Sequence, residues 1–273
     1  MTTLPDVTGV ELELDTGWLT IWFDQPETRN ALTDELVDGV RRTLEAVKDD
    51  REVRGITLRG KHGVFCAGGN LKQFKAFFQG GGSDGGGSRD NTIEMSKGAA
   101  VLFDLINEAP QVVIAIIEGA AMAGGFGMAC CADVVICEAD AKFAMTETAI
   151  GISPAQIAPF VIQKLGYATA RRLMLTAARF NGEGAHELGF ADFVAGDVEG
   201  LNAIEKQIRS QVLKCAPGAI ADTKSLIIAL PGMSRDEAVQ AAAENFTGRL
   251  LSDEGREGVA SFLEKRKPVW AQS

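Results

Sequence analysis

Histidine is scarce in this chain: among 273 residues there are two, His62 and His186. Neither has a serine, cysteine or aspartate arranged around it as a nucleophile–base triad would require, and no metal-ligand spacing appears. Positive charge is also short. Lys and Arg number 27 against 37 Asp and Glu, a formal net charge of −10, which argues against a nucleic-acid footprint. A polyanionic ligand would need a local basic cluster set against that field. No apolar run approaches the ~18–20 residues that span a bilayer, so no membrane segment is expected. The first residues, MTTLPDVTG, lack the charged start and apolar stretch of a secretory signal. Cysteine is odd in number: Cys66, Cys130, Cys131, Cys137 and Cys215. The adjacent pair lies in an apolar segment and reads as core packing, so a reducing, cytoplasmic setting is the expectation.

What is present is apolar bulk, 46% of the chain, enough for one substantial core with an appended helical part. Residues 7–23 alternate around Asp15-Thr16-Gly17 as a β-hairpin does. Thr33 then stands as an N-cap before Leu36, Val37, Val40, Leu44 and Val47, so the spacing predicts a helix over 33–49. Strands are expected at 53–58, 112–117 and 134–136, with a helix over 93–108 between the first two. Mixed strands and helices in this order suggest a layered α/β core. Beyond Pro154 the pattern is helical, over 155–165, 168–175, 184–188, 198–214, 217–229, 234–251 and 253–264. A boundary near residue 195 divides a core, 1–195, from a C-terminal helical region, 196–273. Residues 80–88 read GGGSDGGGS, too poor in apolar area to order themselves. They are either an inert insertion or a lid, and Phe74, Phe77 and Phe78 before them would face an apolar substrate tail or the core.

The chain is organised around residues 119–159. A buried strand, Val112 to Ile117, runs into the glycines Gly124 and Gly125, and about twenty residues later comes one carboxylate, Glu147. Small residues between a strand and a helix present backbone N–H groups to a developing anion, and a lone carboxylate can move a proton. Glycines after a strand more often serve packing or a turn. A second such turn tips the balance: the strand at 53–58 is followed by FCAGGNL, residues 65–71. Two turns, each lending one N–H to a single oxygen, would form an oxyanion hole.

FCAGGNL and GAAMAGGFGMACCADVVI, followed by FAMTETAIGI, resemble the crotonase superfamily of enoyl-CoA hydratases and isomerases. Asn30-Ala31-Leu32, Ala168 with Arg171-Arg172-Leu173, and the stretch from Glu257 to Pro268 match in order, so the likeness covers nearly the whole chain. It implies an α/β spiral of ββα units with C-terminal helices forming a homotrimer or homohexamer. The ligand it implies is an acyl-CoA thioester, and coenzyme A arrives as part of the substrate, so no separate cofactor is expected. Carried over by position, the amides of Gly69 and Gly124 hold the thioester oxygen and Glu147 is the acid or base. Arg29, Ala31, Ala67, Asn70, Leu71 and Gly125 line the coenzyme A site, and Phe262 and Lys265 complete it from a neighbouring subunit.

One departure is informative. Two-glutamate hydratases of this family carry a second acid shortly after the glycines, where this chain has Gly127. The run Ser153-Pro154-Ala155-Gln156-Ile157-Ala158-Pro159 also departs from the Gly-rich run of common hydratases. Both features are similar to a subgroup hydrating branched glutaconyl-type thioesters, the isohexenylglutaconyl-CoA hydratases. The expectation is a hydratase of such an α,β-unsaturated thioester. The alternatives are a Δ3,Δ2-enoyl-CoA isomerase using one glutamate and a non-catalytic paralogue that binds CoA thioesters.

Overall fold

The structure is a computed structural model that describes residues 2–70, 72 and 89–271. The expectations placed on Leu71, on the three phenylalanines and on residues 80–88 lie outside the described residues. The hairpin forms as strands β1 (Val10–Asp15) and β2 (Trp18–Phe23), turned by Thr16 and Gly17, both at positive φ. Strands β3 (Gly55–Gly60), β4 (Val112–Ile117), β6 (Val134–Glu138) and β9 (Phe193–Ala195) add to it in parallel, giving the order β1-β2-β3-β4-β6-β9. A second sheet of three short strands, β5 (Ala120–Met122), β7 (Lys142–Ala144) and β8 (Arg179–Phe180), stands beside it.

Strand β4 shows how the layers follow from the pleat. Val113, Ala115 and Ile117 point to one face, where they join side chains of α1 (Asp34–Val47) and α2 (Arg89–Glu108). Ile114 and Ile116 point to the other, where they meet Trp18, Leu201, Ile208 and Val212. Because successive strand residues alternate sides, a fully apolar strand is what a sheet covered on both faces demands. Helix α1 starts where the Thr33 hydroxyl accepts the Leu36 N–H, and buries Leu36, Val40, Leu44 and Val47 along one stripe.

The helices beyond β4 are α3 (Gly124–Cys130), α4 (Ala158–Thr176), α5 (Gly182–Glu187), α6 (Val198–Val212), α7 (Pro217–Ala229), α8 (Arg235–Leu251) and α9 (Asp253–Leu263). Two differences from the sequence reading have simple causes. The helix expected from residue 155 begins instead at Ala158, with Pro159 in its first turn, a position where the missing N–H costs nothing. Residues 155–157 are thereby left as a turn. The break between the helices expected at 155–165 and 168–175 is a kink at Gly166, φ 73°, inside α4. Helix α6 supplies the layer over the second face of the sheet, where Ile220 of α7 also packs, so the helices that add no side chain to either apolar core are α8 and α9. No helix among the described residues is long and apolar enough to cross a membrane.

Candidate active site

Three pieces of backbone are stitched together at one end of the sheet. The Ala67 amide donates to Arg29 O (3.1 Å), the Leu32 amide to Gly68 O (2.8 Å), and the Met122 amide to Cys66 O (3.0 Å). Single bridges pair Leu32 with Gly69 and Cys66 with Ala121. Gly68 sits at φ +94°, and a Cβ there would lie 2.7 Å from Met122 O, so a side chain is excluded by both conformation and contact. This register sets the two glycine turns side by side: a Cβ on Gly124 would come within 4.0 Å of Gly69 N. Among the described residues neither the Gly69 nor the Gly124 amide has a hydrogen-bond partner. Two unpaired donors this close, facing a cavity, are what an anionic oxygen would require.

The carboxylate reaches the same place by a different route. Strand β7 leads through Met145 and Thr146 into a single 3-10 turn, Glu147–Ile150, closed by Gly151 at φ 81° and by the Ile152 amide donating to Glu147 O (3.1 Å). Glu147 is only 9% exposed, and among the described residues its Oε2 is buried without a hydrogen-bond partner. Burial pushes its pKa above the ordinary carboxylate value, because the charged form loses its water. Phe126 of α3 and Phe143 of β7, the strand that leads into this turn, pack in one aromatic cluster with Phe180 and Phe190. Phe126 stacks on Phe190 at 4.3 Å between centroids, and Phe143 on Phe180 at 5.5 Å. Such pairs add roughly 0.5–1.5 kcal/mol each beyond simple burial.

Gly69, Gly124 and Glu147 line one cavity of about 280 Å³. Leu32, Phe103, Ile150, Ile152 and Ile157 give it an apolar wall, and Ser96, Thr146, Ser153 and Gln156 contribute neutral polar groups. Among the described residues Glu147 is the only charged side chain in the lining. The absence of a second acid has a steric counterpart. A Cβ on Gly127 would lie 2.1 Å from Ile157 Cγ2 and 2.4 Å from its Cβ, and Ile157 is itself buried. The volume that a side chain at 127 would enter is therefore occupied by Ile157.

The remaining sequence-derived positions divide. Ala67 lines the cavity, and Ala31 is buried next to Leu32. Arg29 is exposed, with its carbonyl held by Ala67, and Asn70 accepts the Lys72 amide at Oδ1 (3.2 Å). Gly125 does not line the cavity. It packs against Cys66, where a Cβ would come within 2.7 Å of both Cys66 Cβ and its carbonyl oxygen. Phe262 is 83% exposed, and Lys265 lines a separate groove of about 980 Å³ with Lys206, Arg209 and Lys214. Within one chain these two are not brought to the Glu147 cavity. Ser96, Phe103 and Ile157 were not singled out from the sequence. Ile157 and Gln156 carried a signal in the departure at 153–159, whereas Ser96 and Phe103 lie in an ordinary helix with none.

Comparison with known proteins agrees with this fold. The family model for enoyl-CoA hydratase/isomerase matches residues 13–273. Pseudomonas aeruginosa AtuE is similar in structure with a TM-score of 0.91 and 40% identity, covering 97% of this chain and 100% of its own. An enoyl-CoA hydratase/isomerase from Marinobacter aquaeolei gives 0.90 and 36%, covering 97% and 99%. Human enoyl-CoA hydratase domain-containing protein 2, mitochondrial, is 31% identical over 266 residues, 93% of this chain and 85% of its own. The crotonase-like fold with C-terminal helices is thus the fold of this protein, and the chain belongs to the enoyl-CoA hydratase/isomerase family.

Proposed function

We propose that this chain hydrates an α,β-unsaturated acyl-CoA thioester through an enolate, with Glu147 as its only acid or base. The observation that carries the reading is the meeting, in one cavity, of two backbone amides and a buried carboxylate oxygen that have no partner among the described residues. The thioester oxygen accepts hydrogen bonds from the Gly69 and Gly124 amides. Ionised Glu147 takes one proton from water while the hydroxyl oxygen bonds to the β-carbon and the π pair moves toward the thioester. The enolate oxygen, now anionic, is held by the same two donors, each worth ~2.7–4 kcal/mol of barrier in sites of this type. The α-carbon then takes the proton back from Glu147 as the C=O bond re-forms.

Arg29, Ala31, Ala67, Asn70 and Leu71 are assigned to coenzyme A by resemblance, with Phe262 and Lys265 supplied by a second copy. The exposed apolar side chains Ile227, Phe246, Leu251, Phe262 and Leu263 on α7–α9 support a homotrimer or homohexamer that covers them. For the acyl group, Gly127 and the 153–159 segment favour a branched glutaconyl-type chain such as isohexenylglutaconyl-CoA. The second reading, a Δ3,Δ2-enoyl-CoA isomerase, is favoured by the same Ile157 that occupies the second-acid position, since one base suffices to shuttle a proton. Product analysis with 2-enoyl, 3-enoyl and 3-methylglutaconyl-type CoA substrates separates them. Water uptake by the conjugated substrates is expected. Conversion of 3-enoyl to 2-enoyl thioester without hydration would establish the isomerase instead.

A further inference from the structure

If the chain adds water with one carboxylate, the second hydrogen of that water needs an acceptor that the missing acid no longer provides. Gln156 lines the Glu147 cavity, and its Nε2 donates to Ser96 Oγ on α2 at 2.9 Å. The Nε2 end is committed to Ser96, so the acceptor end, Oε1, is the one left for a ligand in the cavity. The pair is built from two separate elements: Gln156 from the turn before α4, and Ser96 from the middle of α2. It also adjoins Ile157, the residue that fills the space next to Gly127. The same turn that removes room for a second acid thus brings in a neutral acceptor.

We infer that Gln156, oriented by Ser96, holds the attacking water in this cavity, a role that rests on the hydratase reading above. Gln156 Oε1 accepts a hydrogen bond from the hydrogen that stays on the incoming hydroxyl, while Glu147 removes the other. One O–H bond of water breaks and one C–O bond forms. The proton taken by Glu147 ends on the α-carbon, and the hydrogen facing Gln156 ends on the product hydroxyl. The amide changes neither charge nor protonation. Gln156 therefore acts on water addition and not on enolisation, a separation that a purely structural role would not produce.

The test uses the full-length chain and two reactions measured on the same protein. Hydration of a conjugated enoyl-CoA requires the water. Exchange of the α-hydrogen of a saturated acyl-CoA with D2O requires only Gly69, Gly124 and Glu147. For Gln156→Leu, hydration is expected to fall roughly 10- to 100-fold, the scale of losing one well-placed polar contact in a transition state, with exchange unchanged within about threefold. Ser96→Ala, on a partly exposed helix position, leaves Gln156 in place but unanchored, and a smaller loss in the same direction is expected. Gln156→Glu restores an acceptor and retains more hydration than Gln156→Leu. Equal losses of hydration and exchange, or no loss of hydration in either variant, overturn the inference. A wild-type chain that exchanges hydrogen but adds no water to any conjugated substrate overturns the hydratase reading and this inference with it, and that outcome is visible before any variant is made.

Discussion

The two walls of the Glu147 cavity are made differently. On one side, the turns that carry Gly68, Gly69 and Gly124 are joined by backbone hydrogen bonds between segments far apart in the chain, and at Gly68 and Gly124 the neighbours come too close for a side chain. On the other, residues 147–157 present side chains from turns: Glu147, Ile152, Gln156 and Ile157. A wall made of backbone can vary little without losing the fold, whereas a wall made of side chains can be exchanged residue by residue. The first wall carries the two unpaired amides. The second carries Glu147 together with the residues, Gln156 and Ile157, that lie in the departure at 153–159.

The comparison can be broken most severely at the seam where the walls touch. Gly127→Glu would force atoms into Ile157 and bury a charge, and a loss of roughly 4 kcal/mol or more in unfolding free energy is expected. Gly127→Glu combined with Ile157→Gly should recover much of it, since the second change vacates the space. Denaturant unfolding of the single and double variants measures the coupling. A double variant no more stable than Gly127→Glu alone would show that Ile157 is not what excludes the side chain.

Within the backbone wall, Gly68→Ala is expected to cost about 2–4 kcal/mol, from its positive φ together with the approach to Met122 O. Gly151→Ala also sits at positive φ but meets nothing within 4 Å, so a smaller penalty, about 1 kcal/mol, is expected. Thermal unfolding of the two side by side separates conformational strain from collision.

The side-chain wall gives a pH signature. Glu147 must be ionised to take a proton from water, and burial raises its pKa. The acid limb of kcat should therefore lie above the ordinary glutamate range and vanish from any residual activity of Glu147→Gln. The same shift has a consequence for stability. A carboxyl whose folded pKa is raised holds its proton more tightly in the native state. Native stability then falls as pH rises from the unfolded value through the folded one. Glu147→Gln removes that loss, so the variant should melt higher than the wild type near neutrality and match it at pH below the unfolded pKa.

Much of this was legible in the sequence because it is periodic or steric. The strand Val112–Ile117 reads as a two-sided apolar run, and Thr33 announces α1 three residues before Leu36. The glycine turns were visible as small residues after strands. The short strands β5, β7, β8 and β9, of two or three residues, were not, since alternation needs more length to register. The filling of the Gly127 position by Ile157 and the joining of Ser96 to Gln156 depend on contacts 30 and 60 residues apart along the chain, which no local pattern encodes.

The most direct measurement is the time course of conjugated enoyl-thioester absorbance with wild type and Glu147→Gln, at matched folding and matched thioester binding. Water addition by the wild type, with a loss of roughly 10²–10⁴-fold in kcat and little change in binding for the variant, is the expected result. Full hydration by Glu147→Gln would contradict the assignment of Glu147, the only carboxylate in the cavity among the described residues, as the group that moves the proton.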